Sequence, residues 1–133
     1  MQFLLDTNIC IYIIKRKLQQ VLERFQAIDL SAISISSISV AELEYGIYKS
    51  QRPEQNRIAL AQFLLPLEIV PFDERATEVY GQLRATLERQ GTVIGAMDLL
   101  IAAQAKTFGL ILVTNNVREF SRIQDLVIQN WVA

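Results

Sequence analysis

Histidine is missing from this chain altogether. That removes imidazole acid–base catalysis, Ser-His-Asp triads and His-ligated zinc, so any catalytic chemistry must rest on carboxylates and bound ions. Cysteine occurs once, at Cys10 among Ile9, Ile11 and Tyr12, which excludes an internal disulfide and reads as a small buried apolar side chain in a reducing compartment. No apolar run approaches the roughly 18 residues of a membrane span, no signal segment is expected ahead of Asp6, and the expected location is the cytoplasm. An excess of positive charge is also absent: 13 basic residues face 14 acidic ones, for a net charge of −1. A general polyanion binder would carry a clear positive excess, so contact with nucleic acid must be local or arise in an oligomer. Low-complexity segments, repeats and long linkers are lacking too. What remains, 133 residues with 51% hydrophobic content, is the size and composition of a single domain spanning 1–133.

Short apolar runs alternate with amphipathic stretches. The patterning predicts strands over 2–5, 32–36, 68–71, 110–113 and 126–129. Between them it predicts helices over 8–15, 18–27, 38–50, 53–65, a segment capped by Asp73 and ended by Gly91, 98–108, and a helical turn over 117–120. Strands separated by helices imply βαβ units, hence an α/β fold with a mostly parallel five-stranded sheet and helices on both faces. In such a sheet the loops leaving the strand C-termini gather at one edge, where ligands bind. Asp6 ends the first strand, Glu42 lies early in the helix after the second, Asp98 opens the helix feeding the fourth, and Thr114-Asn115-Asn116 leaves that strand.

Each acid has an ordinary reading. Asp6 suits a turn that caps the next helix. Ser39-Val40-Ala41-Glu42 fits a capping box, and Asp98 is a favourable charge at a helix N-terminus. Their conjunction points further, because Asp6 follows an apolar strand and Asp98 is flanked by Met97 and Leu99, where unpaired charge is costly. Two carboxylates about 5 Å apart repel by roughly 3 kcal/mol at an effective dielectric of 20. With no cationic residue beside Asp6 or Asp98 in sequence, a hard cation such as Mg²⁺ or Mn²⁺, held by oxygen ligands and water, is the simplest remedy.

Four segments carry a resemblance: Leu4-Leu5-Asp6-Thr7-Asn8; Ser36 to Leu43; Gly95-Ala96-Met97-Asp98; and Leu112 to Phe120, containing Thr114-Asn115-Asn116 and Glu119. In order and spacing they resemble the PIN-domain nucleases, most closely the VapC toxins of bacterial toxin–antitoxin pairs. The resemblance implies a PIN-like fold and a Mg²⁺- or Mn²⁺-dependent endoribonuclease that cuts structured RNA, often tRNA, including initiator tRNA in the anticodon loop. It also implies a cognate VapB-type antitoxin, a homodimer and a toxin–antitoxin hetero-oligomer. Asp6, Glu42 and Asp98 become the catalytic acids, with Asp6 and Asp98 as metal ligands. Many PIN domains carry a fourth acid where this chain has Asn116, so Glu119 either supplies that charge or pairs with Arg118 or Arg122.

On this reading Thr7, Thr114 and Asn116 support the carboxylates. Lys15, Arg16, Lys17, Lys49, Arg52, Arg118 and Arg122 are the candidate phosphate contacts. The helices over 8–15 and 18–27, with Tyr45 and Tyr48, are expected to form an apolar groove for an antitoxin segment. The alternative is a catalytically silent PIN-like binding module, in which Asn116 marks lost activity. Aspartyl phosphotransfer is disfavoured because the second acid it needs, two residues after Asp6, is Asn8.

Overall fold

The computed structural model describes residues 1–132. Five strands form one sheet: β1 (Phe3–Leu5), β2 (Ile33–Ser36), β3 (Glu68–Val70), β4 (Ile111–Val113) and β5 (Ile128–Gln129), in the spatial order β3-β2-β1-β4-β5. Every pairing is parallel, with Leu5 level with Ile35 on one side and Val113 on the other. The helices are α1 (Thr7–Lys15), α2 (Gln19–Ala27), α3 (Ser37–Lys49), α4 (Pro53–Leu64), α5 (Glu74–Gln90), α6 (Ala96–Phe108) and α7 (Val117–Phe120). None is long and apolar enough to cross a membrane.

Strand periodicity divides the core into two layers. Phe3, Leu5, Ile33, Ile35 and Val113 pack with residues of α1 to α4 and with Trp131. Leu4, Val70 and Leu112 turn to the other face and meet Leu99, Ile101 and Leu87 of α6 and α5, with Phe120 of α7. Cys10 is buried, as its neighbours predict, and burial with the nearby Asp6 charge pushes its thiol far above the usual range. Trp131 closes one end of the first layer, edge-on to Phe3 at 5.9 Å between centroids.

The helix ends follow the local chemistry. Asp6 and Asp73 cap α1 and α5 through their carboxylates, and Gly91 and Gly109 take the left-handed conformation that ends α5 and α6. One expected cap is wrong: α3 begins at Ser37, and its cap is Ser36, whose hydroxyl accepts from the Ile38 N–H at 2.9 Å. The Ser39–Glu42 capping box does not form. Both side chains lie within the helix and are put to another use.

Candidate active site

Because every strand runs the same way, the residues that follow β1, β2 and β4 emerge at one rim. Asp6, one residue past Leu5, donates its backbone N–H to the Val113 carbonyl at 2.9 Å, which locks it beside the end of β4. Its side chain is 4% exposed and serves two donors: the Asn8 N–H at 3.4 Å and the Thr114 hydroxyl at 2.5 Å. Thr114 is itself fixed, since its oxygen accepts from the Asn116 N–H at 3.0 Å. Burial raises the Asp6 carboxyl above its ordinary range, and the Thr114 hydroxyl is the largest influence pulling it back.

Glu42 reaches this rim from α3. The Thr7 hydroxyl sits 2.6 Å from Glu42 Oε1 and 2.9 Å from Ser39 Oγ, and with one proton to donate it serves the carboxylate as the stronger acceptor. The stretch that reads as a capping box is therefore a clasp between α1 and α3. Ser39 is no cap but is fully buried on the stripe with Leu43 and Ile47, and a small polar residue on a packed helix face is the signal that identifies it.

Asp98 occupies the first turn of α6, and across from it stands Asn116. The Asn116 amide donates to Glu119 Oε2 at 2.7 Å and to Asp98 Oδ2 at 3.4 Å, bridging the two acids. Glu119 lies three residues on, within the short α7, and faces the site; among the described residues neither Arg118 nor Arg122 forms an ion pair with it. Desolvation, then the charge of Asp6, a hydrogen bond with Glu119, and the charges of Glu119 and Glu42 carry the Asp98 carboxyl up to about 7. Four acids thus meet at this rim, with Glu119 hydrogen-bonded to Asn116.

The donor set suits a hard cation: it is all oxygen, and burial together with the neighbouring acids raises the Asp98 carboxyl to about 7. Among the described residues no three carboxylates stand close enough to share one ion directly. Mg²⁺ fits that arrangement, because it typically keeps several waters and takes only one or two carboxylates.

The predicted basic residues are more scattered. Lys15, Arg16 and Lys17 lie at the far end of α1 from Asp6, roughly 14 Å away at 1.5 Å per residue. Arg52 precedes α4, Arg118 is exposed on α7, and Arg122 donates to the Val93 carbonyl at 2.9 Å, bracing the loop that leads to Asp98. Lys49 lies on α3 with Nζ 5.7 Å from the Tyr45 ring centroid. The expected groove is also displaced. An apolar cleft of about 290 Å³ opens between α1, α3 and α4, bordered by Ile11, Ile14, Gly46, Ile47 and Leu60 with Glu42 and Lys15 at its edge. Neither α2 nor Tyr45 nor Tyr48 lines it: α2 spends its apolar face on the core, and the two rings point to solvent.

The comparisons agree with this geometry. The PIN domain family model matches residues 3–126. The chain is 45% identical to ribonuclease VapC2 of Rickettsia felis over 132 residues, 98% of each sequence. It is 44% identical to the tRNA(fMet)-specific endonuclease VapC of Salmonella typhimurium, again over 98% of each. The DNA-bound VapBC complex of Salmonella typhimurium contains a chain that superposes with a TM-score of 0.93 at 44% identity, covering 98% of both. A parallel five-stranded sheet, four acids at its C-terminal rim and similarity along nearly the whole length lead to one conclusion: this chain belongs to the PIN-domain family, among the VapC ribonucleases.

Proposed function

We propose that this chain is a metal-dependent endoribonuclease, the toxin of a type II toxin–antitoxin pair, which hydrolyses phosphodiester bonds in structured RNA. Initiator tRNA, cut in its anticodon loop, is the first candidate substrate, because the Salmonella typhimurium relative is named for tRNA(fMet). The observation that carries the reading is the convergence of Asp6, Glu42, Asp98 and Glu119 around a carboxyl held near pH 7. Burial first, and then the neighbouring acids, disfavour the ionised form of Asp98, as expected of a half-buried rim built to take up positive charge.

Asp6 and Asp98 are the proposed ligands of Mg²⁺ or Mn²⁺, directly or through water. When bound, the ion lowers the pKa of water and neutralises charge on the phosphate. Glu42, aligned by Thr7, orients the attacking water for in-line displacement. Thr114 favours the ionised form of Asp6 against the effect of burial and keeps it in register, and Asn116 holds Asp98 and Glu119 at a fixed separation. Glu119 adds the fourth negative charge. Glu119, bridged to Asp98 through Asn116, argues against a catalytically silent binding module.

Two further parts of the reading rest on the family. The cleft between α1, α3 and α4 is the proposed seat of a VapB-type antitoxin segment, because it is apolar and borders Glu42; a homodimer and a toxin–antitoxin hetero-oligomer are the expected assemblies. The lone buried Cys10 fits a cytoplasmic location. The test is cleavage of unfractionated bacterial tRNA by purified protein, with RNA ends sequenced. Cleavage should require Mg²⁺ or Mn²⁺, stop on chelation and vanish in Asp98→Asn. Cleavage that persists under chelation, or no cleavage with either ion, would overturn the proposal.

A further inference from the structure

Beyond Glu42, α3 carries a second feature that the acidic rim does not use. Glu42, Tyr45 and Lys49 are spaced i, i+3 and i+7, so they share one edge of the helix. At 1.5 Å of rise per residue the Cα of Tyr45 lies roughly 5 Å along the axis from that of Glu42, and the Cα of Lys49 roughly 10 Å. Tyr45 is 67% exposed and belongs to neither core layer, so it contributes nothing to packing. Lys49 Nζ stands 5.7 Å from its ring centroid and, among the described residues, makes no ion pair. The other acids of α3 are already engaged: Glu42 by Thr7, and Glu44 by Arg57 at 3.1 Å.

The neighbouring aromatic provides a contrast. Tyr48 also has a cation above it, Arg57 at 5.2 Å, but that guanidinium is held by both oxygens of Glu44. Its charge is spent within the protein. Among the described residues, the Tyr45–Lys49 pair joins an exposed ring to a cation without an ion-pair partner, and it lies on the helix edge that begins at a proposed catalytic acid.

We infer that this edge of α3 is the track for the RNA strand next to the cleavage point. A base adjacent to the scissile phosphate stacks on Tyr45, and the following phosphate pairs with Lys49. The inference rests on the ribonuclease reading and adds to it the form of substrate accepted. A base can lie flat on Tyr45 only when it is unstacked from its own neighbours, so this edge selects unpaired loop nucleotides and rejects duplex. Lys49 also answers the charge problem of an acidic site on a chain of net charge −1, by placing a local cation within reach of the substrate backbone. A protein partner is less suited to this edge than to the apolar cleft, whose lining includes neither Tyr45 nor Lys49.

The experiment separates this inference from the reading beneath it. Binding is measured on an Asp98→Asn background, so that RNA survives, using a labelled RNA hairpin with an unpaired loop and the same loop sequence closed into duplex by a complementary strand. Adding Tyr45→Ala should weaken hairpin binding roughly ten- to a hundredfold, and Tyr45→Phe should restore it. Adding Lys49→Gln should lower the slope of log Kd against log salt by about one. The duplex should bind weakly and ignore both changes. In the cleavage-competent protein the same substitutions should raise KM for unfractionated tRNA more than they lower kcat. If wild type cleaves RNA but Tyr45→Ala and Lys49→Gln leave affinity, salt slope and KM unchanged, the track is wrong and the nuclease reading stands. If they alter only self-association or antitoxin affinity, the edge is a protein interface and the inference is likewise overturned. If wild type cleaves no RNA with Mg²⁺ or Mn²⁺, the failure lies in the nuclease reading.

Discussion

Removing the charge of Asp98 should stabilise the metal-free protein, and the size of the gain follows from the site. Its carboxyl titrates at about 7 rather than the ordinary 3.8. At about 1.36 kcal/mol per tenfold change in proton affinity, that difference corresponds to about 4 kcal/mol of unfavourable free energy when the group is ionised. Asp98 is only half-buried, so solvent screening reduces this to about 2 kcal/mol. Losing a negative charge from the first turn of α6 gives back about 0.5 kcal/mol. Asp98→Asn should therefore gain about 1–2 kcal/mol at pH 8, or roughly 4–7 °C in Tm for a chain of this length.

The sign with pH is fixed by linkage. The folded state binds more protons than the unfolded state between the two pKa values, so wild-type stability falls as pH rises from about 4 to about 7 and is level above. Near pH 4 the variant's advantage should almost vanish. Saturating Mg²⁺ should reverse the order at pH 8, because an ion at a hundred times its Kd adds about 3 kcal/mol to wild type and far less to a protein missing a ligand. Thermal scans of both proteins at the two pH values, with and without Mg²⁺, provide the assay. A Tm difference independent of pH, or an equal Mg²⁺ response in both, would refute the reasoning.

Three other outcomes are expected. Thr114→Val keeps the shape of the side chain but removes the donor to Asp6, so the Asp6 carboxyl should rise further and Mg²⁺ affinity should fall about 10–100-fold, measured by calorimetric titration. Glu119→Gln removes one of the charges that raise Asp98, so the Asp98 titration followed by carboxyl NMR should move toward lower pH while Mg²⁺ binding weakens. Gln104→Leu should lower stability by about 1–3 kcal/mol in denaturant unfolding, because it strands two buried partners, the Ser36 hydroxyl and the Val70 carbonyl that accepts from the Gln104 amide at 3.1 Å.

Much of this molecule is written locally. The apolar run Phe3-Leu4-Leu5, the caps at Asp6 and Asp73, and the terminators Gly91 and Gly109 are short-range signals, and each expected element falls within two residues of its expected bounds. The parallel sheet follows from the alternation of strands and helices, and with it the rim that gathers Asp6, Glu42 and Asp98. By itself, then, the sequence determined the elements, the sheet's sense and the set of acids, because those depend on residue spacing and on chain connections that allow few alternatives.

Only the tertiary structure decided what each polar side chain faces. Ser39 and Glu42 satisfy the spacing of a capping box, yet Thr7, 35 positions before Glu42, claims the carboxylate. Glu119 could as well have turned to Arg118 or Arg122, until Asn116 bridged it to Asp98. The groove moved from α1 and α2 to α1, α3 and α4 once α2 had buried its apolar face. A single hydrogen bond is worth only about 1 kcal/mol net, so local spacing does not decide between polar partners, and packing between distant segments does.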